Sequence, residues 1–275
     1  MEDMSASSET ILEGLDDAQM SAVTALDGPV RIIAGAGAGK TRTVTRRIAY
    51  ACARGDWDAR KVLAVTFSVK AAAEMRARLQ TLGVGDDVTA ATFHSAALQQ
   101  LRRVWDDIFE TPLPHVTSDQ RENVERAIRR VTNAADIDAQ QVRDVRAEIN
   151  WTKVSLVAPD DYPRVCSATR RQPPAELDPQ RFADIITAYE GEKTVRGQID
   201  FDDILLLVCH VMDDYEELAA SIRSSIGWLT VDEYQDVSPL QHRLMTLWLG
   251  NNRNVCVVGD PAQTIYSFAG ASSYG

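Results

Sequence analysis

The chain has 275 residues, 45% of them hydrophobic and 25% charged, with a net charge of −11. This is apolar material for one large domain or two small ones. The acidic balance excludes a protein that coats nucleic acid through bulk charge, though not a local groove, and no apolar run is long enough to cross a membrane.

Residues 1–10 are polar and acidic, without a basic n-region or an apolar h-region, so a disordered tail is expected there and not a signal or transit peptide. Leu15, Ala18, Ala22, Val23 and Leu26 share one face of a helix, with Asp16 and Asp17 at its start and Gly28-Pro29 at its end. Residues 30–43 read V-R-I-I-A-G-A-G-A-G-K-T-R-T: a short strand, a glycine loop, then a helix with Val44, Ile48, Ala51 and Cys52 on one face. Strands follow at 61–66 and 88–92, each leading into a helix, the first carrying Ala72, Met75 and Leu79 and the second Ala97, Leu101 and Val104. That alternation predicts a parallel sheet covered by helices.

The rhythm breaks between about residues 111 and 197, where helices but no strand are expected. Thr117 and Gln120 fit a capping box ahead of Val124, Ile128 and Val131; Val142, Val145 and Ile149 mark another helix, and Phe182, Ile185 and Tyr189 a third. The expected organisation is therefore α/β: a tail (1–10), a parallel-sheet domain (11–110 and 198–275) and a helical subdomain inserted into it (111–197). The sheet domain resumes with an apolar helix from Phe201 to Met212, a strand at 227–231, a helix opened by Ser238-Pro239, and a strand at 254–259. Cys52, Cys166, Cys209 and Cys256 are scattered without a C-x-x-C, as buried thiols of a cytoplasmic protein would be.

Chemistry concentrates in two places. Gly35, Gly37 and Gly39 let backbone N–H groups turn toward an anion at the start of a helix, where the dipole favours negative charge. Lys40 adds a charge for β/γ oxygens and Thr41 a hydroxyl for Mg²⁺. The usual pattern is G-x-x-x-x-G-K-[ST], and Ala34 stands at its first position; the bland alternative is a glycine turn that binds nothing. The second place is W-L-T-V-D-E, an apolar strand ending in acid. Asp232 suits an Mg²⁺ ligand and Glu233 a group that orients and deprotonates an attacking water, the alternative being two carboxylates that merely begin a loop. Asp200, Asp202 and Asp203 invite a metal reading, but Asp200 as a helix cap with Asp203 in the first turn accounts for them.

Taken together, D-E-Y-Q-D (232–236) continued by V-S-P-L-Q resembles motif II of superfamily 1 DNA helicases of the UvrD/PcrA/Rep type. Other stretches match that family in order: Leu15 with Gln19 the Q motif, residues 34–41 motif I, V-T-F (65–67) with K-A-A-A-E-M (70–75) motif Ia, T-F-H-S (92–95) the next DNA-contacting motif, I-D-F-D-D (199–203) the re-entry into the first motor domain, and V-V-G-D (257–260) through Gly270-Ala271 motif III. The wording around motif III resembles an actinobacterial UvrD-type paralogue.

The resemblance implies a RecA-like P-loop NTPase domain (1A) with an inserted subdomain (1B), the cofactors ATP and Mg, and movement on DNA powered by hydrolysis once a second motor domain, in cis or in trans, is present. ATP would be bound by Ala34, Gly35, Ala36, Gly37, Ala38, Gly39, Lys40, Thr41 and Arg42, with Gln19 reading adenine and Gln263 sensing the γ-phosphate. Phe67, Thr92, His94, Tyr266 and Phe268 would lie along the path of single-stranded DNA or of a duplex/single-strand junction. Singly, such aromatics more often pack in a core, and a lone histidine is more often structural. The implied location is cytoplasmic and nucleoid-associated, with no membrane. This sequence departs from the family at Asp16 and Val69, where asparagine is usual, and at Ala269, where arginine is usual. The family's second motor domain lies outside these residues, which leaves a second expectation: an ATP- and DNA-binding module without productive turnover, acting through a partner chain.

Overall fold

The structure, a computed structural model, describes residues 8–35, 37 and 39–260. Two short helices, α1 (Ser8–Leu12) and α2 (Asp17–Thr24), precede β1 (Val30–Ile33) and α3 (Lys40–Ala53). Then come β2 (Val62–Thr66), α4 (Val69–Thr81), β3 (Thr89–Thr92) and α5 (Phe93–Val104). A two-residue strand, β4 (His115–Val116), leads to α6 (Arg121–Thr132), α7 (Ala139–Val154), α8 (Tyr162–Thr169) and α9 (Pro179–Val195), and β5 (Gln198–Ile199) closes that stretch. The chain continues through α10 (Phe201–Asp214), α11 (Glu216–Ser224), β6 (Trp228–Val231), α12 (Pro239–Leu249) and β7 (Val255–Gly259).

The main sheet is parallel in every pairing, in the order β1-β7-β6-β2-β3. Its strands are short and apolar because helices cover both faces. In β2 every residue is buried. Val62 and Ala64 face a cluster with Val44, Ile48, Met75, Leu79 and Val258, built on α3 and α4. Leu63 and Val65 face the opposite cluster with Phe93, Leu101, Val208, Leu240 and Trp248, from α5, α10 and α12. The Trp248 indole stacks on Phe93 at 5.9 Å and donates to Gln100 Oε1 at 2.7 Å, so its polar atom is satisfied inside the core. A third cluster joins α6 to α9, with Val124, Val145, Ile149, Tyr162, Phe182 and Tyr189 at its centre.

Three expectations need correction, and two helices went unread. Residues 8–10, expected in a disordered tail, open α1, which buries Ile11 against α3. The capping box from Thr117 to Gln120 does not form. The α6 helix begins one residue after Gln120, the Arg121 amide donates to Asp119 Oδ1, and the Thr117 hydroxyl turns back to the Asp119 carbonyl. A strand does exist within 111–197: His115–Val116 pairs in parallel with Gln198–Ile199, so the helical stretch is closed at its base by a two-stranded ladder. Finally, α8 and α11 carry no cue read in the sequence; α8 is short, with Tyr162 and Cys166 its only buried residues.

Candidate nucleotide and nucleic-acid site

In a parallel sheet every strand ends on the same edge, and loops there converge on one rim. Here that rim carries the glycine loop after β1, Phe67 after β2, Thr92 at the end of β3, Asp232 after β6 and Asp260 after β7. Gly37 and Gly39 have φ of 79° and 73°, a left-handed backbone that a side chain would strain. Gly39 is the N-cap of α3, so Lys40 and Thr41 occupy the first turn, beside the free N–H groups. Ala36 and Ala38 fall outside the described residues, as do Gln263, Tyr266, Phe268 and the Ala269 departure.

Gln19 reaches this loop. Its side chain closes a capping box on α2: Oε1 accepts from the Asp16 amide at 3.1 Å, while the Gln19 amide donates to Asp16 Oδ1 at 2.8 Å. The remaining Nε2 sits 3.4 Å from the place a Cβ on Gly39 would occupy. The aspartate at position 16 thus performs the capping that asparagine would. Arg42 points the other way, donating to the Gly14 carbonyl at 3.2 Å. Arg46 donates to the Ile11 and Glu13 carbonyls, and Arg47, buried over the Trp57 ring, makes two bonds to the Ala25 carbonyl. One face of α3 therefore fastens the segment that carries Gln19 onto the helix that begins at the glycine loop, a role the sequence did not reveal.

Opposite the loop stand three carboxylates. Burial raises the Asp232 carboxyl above its ordinary range, against the pull of the Glu233 amide and the Lys40 charge. Burial also raises Glu233, helped by the charges of Asp232 and Asp236 and opposed by Lys40. Asp236 is raised by burial as well, against its bond from Gln235 and the Lys40 charge. Asp232 is the buried member of the three, an oxygen ligand of the kind a hard divalent cation takes. The turn is shaped by its backbone: Glu233 adopts φ 54°, its amide donates to Asp232 Oδ1 at 2.9 Å, and the Asp232 amide donates to the Val65 carbonyl of β2.

Phe67 and Thr92 stand at the ends of the neighbouring strands β2 and β3. Phe67 is half-buried, edge-on to Phe93 at 5.6 Å, so one side of its ring belongs to the core. The Thr92 hydroxyl caps α5 by accepting from the Ser95 amide at 3.1 Å. His94, in the first turn of α5, lies edge-on to Phe201 at 6.0 Å with Nε2 3.5 Å from Asp202 Oδ1. Phe201 is 52% exposed and Val69 73% exposed along the same rim, a feature the sequence pattern did not single out. Two arginines of the helical stretch are committed to acids within it: Arg171 to Glu148, stacked on the Trp151 ring, and Arg130 to Glu192.

The acid cluster at 200–203 is not a metal site. Asp200 and Asp203 form a capping box on α10, as expected, but two lysines also enter. Lys153 Nζ lies 2.6 Å from Asp200, 2.7 Å from Asp203 and 2.8 Å from Glu190. Lys193 Nζ contacts the same three groups, and the Tyr189 hydroxyl donates to Asp200 at 2.8 Å. The ammonium groups fill the place a cation would take. Burial would raise the Asp200 carboxyl, but Lys153 and Lys193 outweigh it and hold it well below the usual range. Burial pushes the Cys52 thiol up to about 11 and Cys209 to about 12, away from the thiolate form. Cys52 is only partly buried, unlike the other three cysteines.

Fold and rim together define an α/β protein with a phosphate-type loop set against an acidic turn on one edge of a parallel sheet. The chain belongs to the UvrD/REP helicase N-terminal domain family, whose sequence model matches residues 15–274. It is 43% identical over 281 residues to the ATP-dependent DNA helicase UvrD2 of Mycobacterium tuberculosis, covering 98% of this chain and 39% of that protein. The ATP-dependent DNA helicases PcrA of Leuconostoc citreum and Bacillus subtilis are 33% and 32% identical, each match covering 96% of this chain and 35% of the relative. The chain thus spans between a third and two fifths of these relatives' lengths. The likeness to an actinobacterial UvrD-type protein agrees with the sequence reading. Among the described residues no helix is long and apolar enough to cross a membrane.

Proposed function

We propose that this chain is the ATP- and single-stranded-DNA-binding N-terminal portion of an ATP-dependent DNA helicase. The observation that carries the reading is the shared rim: β1, β7 and β6 are parallel neighbours, so the glycine loop after β1 and the acidic turn after β6 leave the same edge of the sheet. The triphosphate lies on the N-terminus of α3, with Lys40 on its outer oxygens and Gln19 on adenine. Thr41 and Asp232 would hold Mg²⁺, which would neutralise phosphate charge there. Glu233 orients the attacking water and takes its proton; its raised pKa suits a base. Phosphoryl transfer needs positioning and charge neutralisation more than covalent chemistry, and these groups supply both.

Residues 11–110 and 198–275 form the RecA-like domain 1A and residues 111–197 the helical subdomain 1B, an assignment supported by the separate apolar cluster of α6 to α9. Single-stranded DNA runs over Phe67, Thr92 and His94, with Tyr266 and Phe268 as further contacts implied by the sequence; the protein works on the nucleoid, in the cytoplasm. Turnover and unwinding require a second motor domain, which supplies arginines to the transition state. Such a finger is worth about 10³–10⁵ in rate in GTPases. The 275-residue chain alone should therefore hydrolyse ATP very slowly and leave duplex intact. Measuring hydrolysis and unwinding with and without a second motor domain added in trans tests this. Duplex opening by the chain alone that disappears in Glu233→Gln would overturn it.

A further inference from the structure

The strands β6 and β7 lie side by side, and the segments leaving them are tied together by one side chain. Gln235, in the 3₁₀ turn Tyr234–Asp236, accepts a hydrogen bond from the Asp260 amide through Oε1 at 3.1 Å, and its Nε2 donates to Asp236 Oδ2 at 3.4 Å. The approach depends on Gly259: a Cβ there would stand 2.6 Å from Gln235 Oε1 and 3.2 Å from the Gln235 amide nitrogen. The same end of β7 reaches the phosphate loop. The Gly259 carbonyl accepts from the Ala34 amide at 3.3 Å, and Asp260 Oδ2 lies 3.9 Å from the place of a Cβ on Gly35. Gln235 therefore links the acidic turn to a strand end that itself touches the loop.

What the link holds is a strained residue. Glu233 has φ 54°, which a glutamate adopts only when its surroundings enforce it. Local bonds do part of this: the Glu233 amide to Asp232 Oδ1, and the Asp236 amide to the Glu233 carbonyl at 2.9 Å. These travel with the turn and cannot fix its place relative to the loop. The Asp232 amide to the Val65 carbonyl anchors the start of the turn to β2, and Gln235 to Asp260 is the side-chain bond that ties its far end to the end of β7, beside the loop.

We infer that Gln235, seated against Gly259, is a positioning residue for hydrolysis: it sets the Glu233 carboxylate relative to the phosphate loop without touching nucleotide. The inference rests on the reading of Glu233 as the water-orienting base.

The test uses Gln235→Met, which keeps length and removes the acceptor. Mg-ATP affinity, read with a fluorescent ATP analogue, should stay within about twofold, because Lys40, Thr41 and Gln19 are untouched. With the second motor domain added in trans, the single-turnover hydrolysis rate should fall about 10–100-fold, the scale on which small misplacement of a reacting group acts. In a Glu233→Gln background the same change should cost nothing further, since the residue acts through Glu233. Gly259→Ala, which crowds the amide away, should show the same split between affinity and rate. Backbone amide exchange gives a readout independent of turnover: in Gln235→Met it should quicken at Asp260 and in residues 233–237 and not in α3. Normal exchange there, or full hydrolysis in Gln235→Met beside a slowed Glu233→Gln, would overturn the inference alone. Hydrolysis unaffected by Glu233→Gln would overturn the reading of the site as well.

Discussion

Replacing Lys193 by methionine tests whether the buried ion cluster holds the helical stretch to α10. The ammonium is 1% exposed and contacts Glu190, Asp200 and Asp203, while Asp200 itself is fully buried. Methionine keeps most of the volume and removes the charge. Three carboxylates would then share Lys153 alone, and Asp200 would lose one of the two cations that hold its carboxyl low. Breaking a buried pair on one side costs about 3–5 kcal/mol, and because Lys153 remains we expect the lower end, about 3 kcal/mol. The sign of the pH dependence follows. A carboxylate with a depressed folded pKa contributes stability that is present above its unfolded value and lost as pH falls through the folded one. In the variant the Asp200 pKa climbs, so the gap between variant and wild type is widest at neutral pH. It narrows as pH falls through the ordinary carboxylate range, near about 4, where the variant's unpaired acid takes up a proton. Urea unfolding at a series of pH values measures both features. Adding Asp200→Asn should recover part of the loss, since it removes the unpaired charge yet keeps an oxygen to cap α10. A loss under about 1 kcal/mol at pH 7, as a solvated surface pair would give, refutes the argument.

Other expectations follow from the rim. Lys40→Ala should abolish nucleotide binding, whereas Gln19→Ala should weaken ATP far more than a pyrimidine triphosphate, because a carboxamide pairs with the donor and acceptor edges of adenine; equal losses in a competition titration would remove Gln19 from that role. Phe67→Ala should weaken binding of a labelled single-stranded oligonucleotide by about 1–3 kcal/mol if a base stacks on its open side. Unchanged affinity with the fold intact would make the ring a core residue only. Asp232→Asn should raise the melting temperature of the metal-free protein at neutral pH. Its carboxyl is raised by burial, so the ionised form costs stability above the folded pKa, and the gain should fade as pH falls and the wild-type acid protonates.

The legible parts were those written in local pattern. The strand, glycine loop and helix at residues 30–53, the acid after β6, and the Ser238-Pro239 start of α12 each declare themselves within a few neighbours. So did the Asp200 cap, because capping is a three-residue event. What escaped was made at long range. Lys153 and Lys193 read as ordinary helical lysines, and nothing in their neighbourhoods announces that they meet the same carboxylates from two different helices. The pairing of β4 with β5 is two residues on each side, too short for any periodicity to register. Thr117 and Gln120 carried the right letters for a capping box, but Asp119 lay between them and supplied the oxygen instead.

The lysine cluster and the glutamine pin share a physical logic. In each, a polar group leaves its own element to fix a second one, and in each the second element carries a residue on the working rim. The cluster ties α7 and α9 to the cap of α10, one residue before Phe201 and two before Asp202, the neighbours of His94. The pin ties the turn after β6 to the end of β7, two residues beyond Glu233. Apolar burial cannot do this work, because it is non-directional and tolerates sliding, whereas hydrogen bonds between buried charged or amide groups fix distance and angle. On the proposed reading, a rim that holds phosphate, metal and water in register draws its precision from polar contacts behind it. The variants most informative about that rim are the ones that remove those contacts and leave Lys40, Asp232 and Glu233 in place.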